Sequence, residues 1–244
     1  MDGEFNKIMK TARNQKITLN ELGTDSLTEC GNKDHFLNYK KKITYKFNEY
    51  GYRDDEWPSD LSDVIWCVGD SATMGVGQPF EETWPQILQK KISKRCLNIS
   101  SGGCSNDTIR VRAQFIHENF KPKTMIIMWS FISRRRIEDK DMQYDKKDFG
   151  VKSNILNFLR NFEKVNKLPI KIIHSIIPNE LNELSNDDRI KYLIDKKTKK
   201  SIVYFQILDY ARDHHHFDIK TSELVTNLMI EKIDTIDNTP KYPV

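Results

Sequence analysis

From residue 64 onward, short unbroken apolar runs alternate with segments whose apolar residues recur at helical spacing. Val64-Ile65-Trp66-Cys67-Val68 runs into Gly69, and Met125 to Trp129 repeats the form; Ile170 to Ile177 is apolar apart from Lys171, His174 and Ser175. Runs without polar alternation suit strands buried on both faces. Strands are predicted at 64–69, 96–99, 124–130, 170–177 and roughly 201–208. Between the first two, Trp84, Ile87, Leu88, Lys91 and Ile92 fall at i, i+3, i+4, i+7 and i+8, one stripe broken only by the Lys91 stem. Ile155, Leu159, Phe162 and Asn166 mark a second helical face, widened by Phe158 and Val165. A last helix over about 218–234 turns Val225, Leu228 and Met229 inward. Strand–helix alternation of this kind predicts an α/β fold with a mostly parallel sheet covered on both faces.

The earlier part of the chain reads differently. Residues 43–57 alternate apolar and polar positions up to Gly51, which suits an edge strand closing in a turn. Residues 1–42 are polar and mixed in charge, and read as an N-terminal arm. The expected organisation is therefore an arm over 1–42, one domain over 43–236 and a short tail over 237–244. The polar segment 179–200 suits either a lid or a surface helix.

Composition narrows the function classes. A net charge of +4 from 39 basic and 35 acidic residues gives no case for nucleic acid. The runs Lys40–Lys42 and Lys196–Lys200 lack the interleaved aromatic residues that single-strand binding favours. The apolar runs are far shorter than the ~20 residues of a membrane helix. The first ten residues lack the apolar centre of a signal peptide, and Cys30, Cys67, Cys96 and Cys104 form no CxxC pair. The expectation is a cytoplasmic protein with reduced thiols. The oligomeric state is not legible.

Chemistry concentrates at two places. Gly69-Asp70-Ser71-Ala72-Thr73-Met74-Gly75-Val76-Gly77 sets a serine directly behind the first strand, where the next helix offers unpaired N–H groups to a developing anion. Near the other end, Asp213-His214-His215-His216 supplies an imidazole with a carboxylate three residues before it. A serine hydroxyl attacks only when a neighbouring base takes its proton, and a carboxylate on the other ring nitrogen fixes that base's tautomer. The carboxyl ends of parallel strands are where such folds bind ligands, and Ser71, Gly103 and 130–136 all fall there. The three adjacent histidines lack the i, i+4 or Cys-paired spacing of a zinc site, so no metal or other cofactor is expected. His214 and His215 read as surface or supporting residues, His35, His117 and His174 as structural ones, and Arg53 as a surface or turn residue. Asp70 reads as the residue that holds the serine turn.

These motifs resemble those of the SGNH (GDSL-type) hydrolases, over about residues 43–236. The nucleophile block of that family matches Gly69-Asp70-Ser71-x-Thr73-x-Gly75. Its second block resembles Asn98 to Asn106, and its Asp-x-x-His block matches Asp213 and His216. Asn48 to Arg53 also looks like a segment that precedes the nucleophile strand in some bacterial and phage-encoded members. The resemblance implies a flavodoxin-like three-layer α/β/α sandwich around a five-stranded sheet. It also implies an ester substrate, on a glycan or a lipid, and a triad of Ser71, His216 and Asp213. The oxyanion would be held by the N–H groups of Ser71 and Gly103. A phage-encoded member would be virion-associated.

One block departs. The family places Gly-x-Asn-Asp after the third strand, and its Asn donates to the oxyanion; here the stretch is Ser130-Phe131-Ile132-Ser133-Arg134, with Ile132 near the Asn position. Losing such a donor costs ~3 kcal/mol of transition-state stabilisation. Ser130, Ser133 or Arg134 could replace it. Three readings follow: a hydrolase working through an acyl-serine (an O-acetyl group on a glycan is one target), a non-catalytic glycan-binding or structural module, or an acyltransferase.

Overall fold

The computed structural model describes residues 8–9, 17–138, 140–143, 150–178 and 202–237. In chain order the strands and α-helices are β1 (Thr18–Leu19), α1 (Lys33–Asn38), β2 (Tyr45–Lys46), β3 (Ile65–Gly69), α2 (Ser71–Met74), α3 (Trp84–Ile92), β4 (Cys96–Ser100), α4 (Asn106–Phe120), β5 (Thr124–Trp129), β6 (Arg134–Ile137), β7 (Lys140–Gln143), α5 (Val151–Asn166), β8 (Lys171–Ile176), β9 (Ile202–Val203) and α6 (Ile219–Asp237).

The apolar runs pair as a five-stranded sheet in the order β4-β3-β5-β8-β9, and every pairing is parallel. Successive side chains on a strand point to opposite faces, so each run feeds two cores. Trp66, Val68, Leu97, Ile99, Ile127 and Trp129 pack with Ile109 and Ile116 of α4 and Phe158 and Phe162 of α5. Ile65, Cys67, Cys96, Ile126 and Met128 pack on the other face with Trp84 and Leu88 of α3 and Val225 and Met229 of α6. The result is the expected three-layer α/β/α sandwich.

Four of the five predicted strands appear within a residue of the expected bounds. The fifth is cut to two residues. The N–H groups of Leu208 and Asp209 bond to Thr221 Oγ1 on α6, so the backbone past Val203 leaves the ladder. The segment 43–57 is not an edge of this sheet. Its alternation is real, with Ile43, Tyr45 and Phe47 buried, but they form a separate small cluster with Leu22, Met74 and Val76. Tyr45–Lys46 pairs with Thr18–Leu19 instead. The predicted turn does form: Asn48 Oδ1 accepts from the N–H groups of Tyr50 and Tyr52, and Gly51 adopts φ 78°. The sequence pattern does not anticipate the β6–β7 hairpin. Residues 179–200 and 238–244, with the lid and most of the tail expected there, lie outside the described residues, as do Lys196–Lys200.

Candidate active site

The carboxyl end of β3 delivers Ser71. Asp70 caps α2 by accepting from the Ala72 N–H at 3.0 Å, and Ser71 is the first helical residue. Asn98 Nδ2, on the neighbouring β4, donates to the Thr73 carbonyl at 3.0 Å and ties this turn to the sheet. The second oxygen of Asp70 accepts from Ser130 Oγ at 2.6 Å and from Arg134 Nη1 at 2.7 Å. Asp70 therefore holds the turn, as its sequence context suggests.

Residues 211–216 fold back toward that turn. His216 Nε2 lies 2.8 Å from Ser71 Oγ, and His216 Nδ1 lies 2.6 Å from Asp213 Oδ2. An ionised carboxylate cannot donate, so Nδ1 carries the proton and Nε2 is left to accept from the serine hydroxyl. Asp213 is fully buried, and each of its oxygens takes two donors. Oδ1 accepts from the N–H groups of His215 and His216, at 3.1 and 3.0 Å. Oδ2 accepts from His216 Nδ1 and, at 2.6 Å, from Thr24 Oγ1. Burial pushes the Asp213 carboxyl up, but the bonds and charge from His216, with those from Thr24 and the backbone, outweigh it and hold the group well below the usual carboxylate range.

Close approach of the two segments needs Gly77. Its carbonyl accepts from Arg212 N–H at 3.0 Å, and its φ is 78°. A Cβ there would stand 2.8 Å from the Ala211 Cβ and 3.0 Å from Asp213 Oδ1. Gly103, also at φ 78°, lies exposed in the loop after β4, with nothing near where a Cβ would be. The N–H groups of Ser71 and Gly103 make no hydrogen bond with the described residues.

The departed third block has a definite structure. Ile132 is buried in the core cluster that holds Trp129. Ser130 Oγ gives its proton to Asp70, and Arg134 Nη1 folds back onto the same carboxylate. Ser133 is buried and makes no hydrogen bond with the described residues. Asn106 pins the loop: its Oδ1 accepts from Ser130 N–H at 2.9 Å and its Nδ2 donates to the Ser130 carbonyl at 3.1 Å.

Arg53 differs from its sequence reading. Arg53 is neither at the surface nor bridged to a carboxylate. It is buried under the nucleophile turn, donating to the carbonyls of Met74, Gly75, Thr44 and Gln78, with its guanidinium 4.3 Å from the centre of the Tyr45 ring. Thr24 carries no local signal at all, since its contact with Asp213 spans 189 positions. His214, at φ 57°, packs its ring 4.8 Å from those of His35 and Tyr210, and His215 is exposed. No group of three or more His, Cys, Asp or Glu among the described residues could hold a metal ion, and no helix there is long and apolar enough to cross a membrane.

This is the SGNH-hydrolase fold. Its solved counterparts include the psychrotrophic esterase EstA from Pseudoalteromonas sp., at 19% identity and TM-score 0.50, covering 73% of this chain and 100% of that one. A family 2 carbohydrate esterase from Corynascus thermopiles (Myceliophthora fergusii) is similar at 11% identity and TM-score 0.50, covering 76% of this chain and 69% of that one. No family model and no curated protein matches the sequence.

Proposed function

We propose that this chain is a serine esterase that cleaves a carboxylic ester through an acyl-serine intermediate. One observation carries the reading: the continuous relay from Ser71 Oγ through both nitrogens of His216 to Asp213. Ser71 attacks the ester carbonyl while His216 Nε2 takes the hydroxyl proton. Negative charge collects on the former carbonyl oxygen, where the N–H groups of Ser71 and Gly103 are the donors. Collapse expels the alkoxide, which receives the proton from His216, and the acyl group remains on Ser71. Water, deprotonated by the same imidazole, then releases the carboxylic acid. Asp213 keeps the Nδ1 tautomer throughout and stabilises the imidazolium.

EstA is an esterase and its fold is shared here, which favours ester chemistry over the other reactions a Ser-His-Asp relay can run. The carbohydrate esterase with the same fold makes an acylated glycan the first substrate class to assay. The test is labelling by a fluorophosphonate probe, expected for the unaltered chain and absent in Ser71→Ala. No labelling of the unaltered chain by several short-chain probes would overturn the reading. The buried Ile132 at the third-donor position favours a second reading, a glycan-binding module without turnover. Saccharide binding equal in the unaltered chain and Ser71→Ala, with no acyl release, would select it.

A further inference from the structure

We infer that Thr24 is a positioning residue for the candidate triad, so that the segment before residue 43 completes the active site. The inference rests on the esterase reading for its kinetic consequence, and on geometry for the rest. Thr24 Oγ1 donates to Asp213 Oδ2 at 2.6 Å, the same oxygen that accepts from His216 Nδ1. A carboxylate offers about four acceptor positions, and among the described residues Asp213 has four donors, of which Thr24 alone comes from outside residues 213–216.

The hydroxyl is presented with little freedom. Gly23 and Thr24 form the two-residue tip of a tight turn closed by mutual bonds between Leu22 and Asp25, each 3.0 Å. Both ends of the turn are fastened. Leu22 is buried in the small cluster with Tyr45 and Met74. Buried Asp25 accepts from Arg212 Nε and Nη2, both at 2.7 Å, and from the Tyr45 hydroxyl at 2.5 Å. The Tyr45 hydroxyl in turn accepts from the Gly77 N–H at 2.8 Å. A few residues on, Gly31 N–H donates to the Asp213 carbonyl at 2.9 Å. The segment thus holds Arg212 and the Asp213 backbone and, through Tyr45, the loop behind Ser71. A donor held this firmly fixes which way the carboxylate plane faces, and so which way the imidazole faces.

The experiment compares Thr24→Val, which is close in shape but has no hydroxyl, with Thr24→Ser, which keeps the donor. In p-nitrophenyl acetate hydrolysis, Thr24→Val should lower kcat about tenfold with little change in KM, and Thr24→Ser should recover most of it. The carbon-13 titration of the Asp213 carboxyl, read on the full chain, should move to higher pH in Thr24→Val and stay in place in Thr24→Ser. Unchanged kcat in Thr24→Val, or equal losses in both variants, would overturn the inference. If the unaltered chain hydrolyses no ester, the esterase reading fails by itself. The titration then decides: a shift confined to Thr24→Val supports the inference, and its absence overturns it.

Discussion

Arg134 Nη1 stands 2.7 Å from Asp70 Oδ2, and the same nitrogen reaches Ser130 Oγ at 2.9 Å. The Asp70 side chain is fully buried and that of Arg134 is 11% exposed, so the pair works largely out of water. Arg134 also lies over the Phe131 ring, 4.8 Å from its centre. The guanidinium thus braces the residue that caps the Ser71 turn. Arg134→Met leaves a buried carboxylate without its cation, held only by the Ser130 hydroxyl and the Ala72 N–H, and should cost about 3 kcal/mol of stability. Chemical denaturation measures this. Arg134→Lys should recover part of the loss, because it restores the charge without the stacked plane.

Replacing Ile132 with the amide that the family pattern carries should not improve catalysis. The Ile132 side chain packs into the core with Trp129, so an Asn there buries an amide among apolar groups. Ile132→Asn should lose about 2–4 kcal/mol of stability with no gain in p-nitrophenyl acetate turnover.

Asp213→Asn keeps the shape of the acid but removes its charge and can favour the wrong tautomer of His216. The expected result is a fall in kcat of about three to four orders of magnitude, with the fold intact by circular dichroism.

Gly77→Ala should damage activity and stability together. It forces an L side chain into φ 78° and drives a methyl group against Ala211 and Asp213. Thermal unfolding should show a loss above about 1 kcal/mol, with hydrolysis falling more than that loss explains.

Acid sensitivity should come in two windows. His174 is fully buried, and burial lowers its pKa from 6.5 to about 3. Its Nδ1 accepts from Trp129 Nε1–H at 3.1 Å, which suits the neutral ring. The unfolded chain binds this proton first, so the stability that neutral His174 contributes should fall as pH drops from 6.5 toward 3. His174→Gln, which keeps an acceptor, should flatten that slope in urea midpoints measured from pH 7 to 4. Asp213 adds stability that is present above its unfolded value of 3.8 and is lost as pH falls below it. That second loss, read by extending the midpoints below pH 3.8, should remain in His174→Gln.

The sheet was legible because its strands are buried on both faces, which writes the central ones as continuous apolar runs, from Ile65 to Gly69 and from Met125 to Trp129. Ser71, Asp213 and His216 were legible because nucleophile and base each sit in a local motif. Segment 43–57 shows where local reading stops: alternation at Ile43, Tyr45 and Phe47 reveals a buried face but not the partner that buries it.

Local spacing thus determined the α/β class and the cover of helices on both faces of the sheet, and local motifs the triad candidates, since each depends on residues close in sequence. Only the tertiary structure decided that Thr24 meets Asp213, that Arg53 lies under the nucleophile turn, and that Arg134 answers Asp70. Those contacts join residues 21 to 189 positions apart. Their energies come from groups that burial brings together, and no short-range pattern encodes which distant donor a buried acceptor will meet.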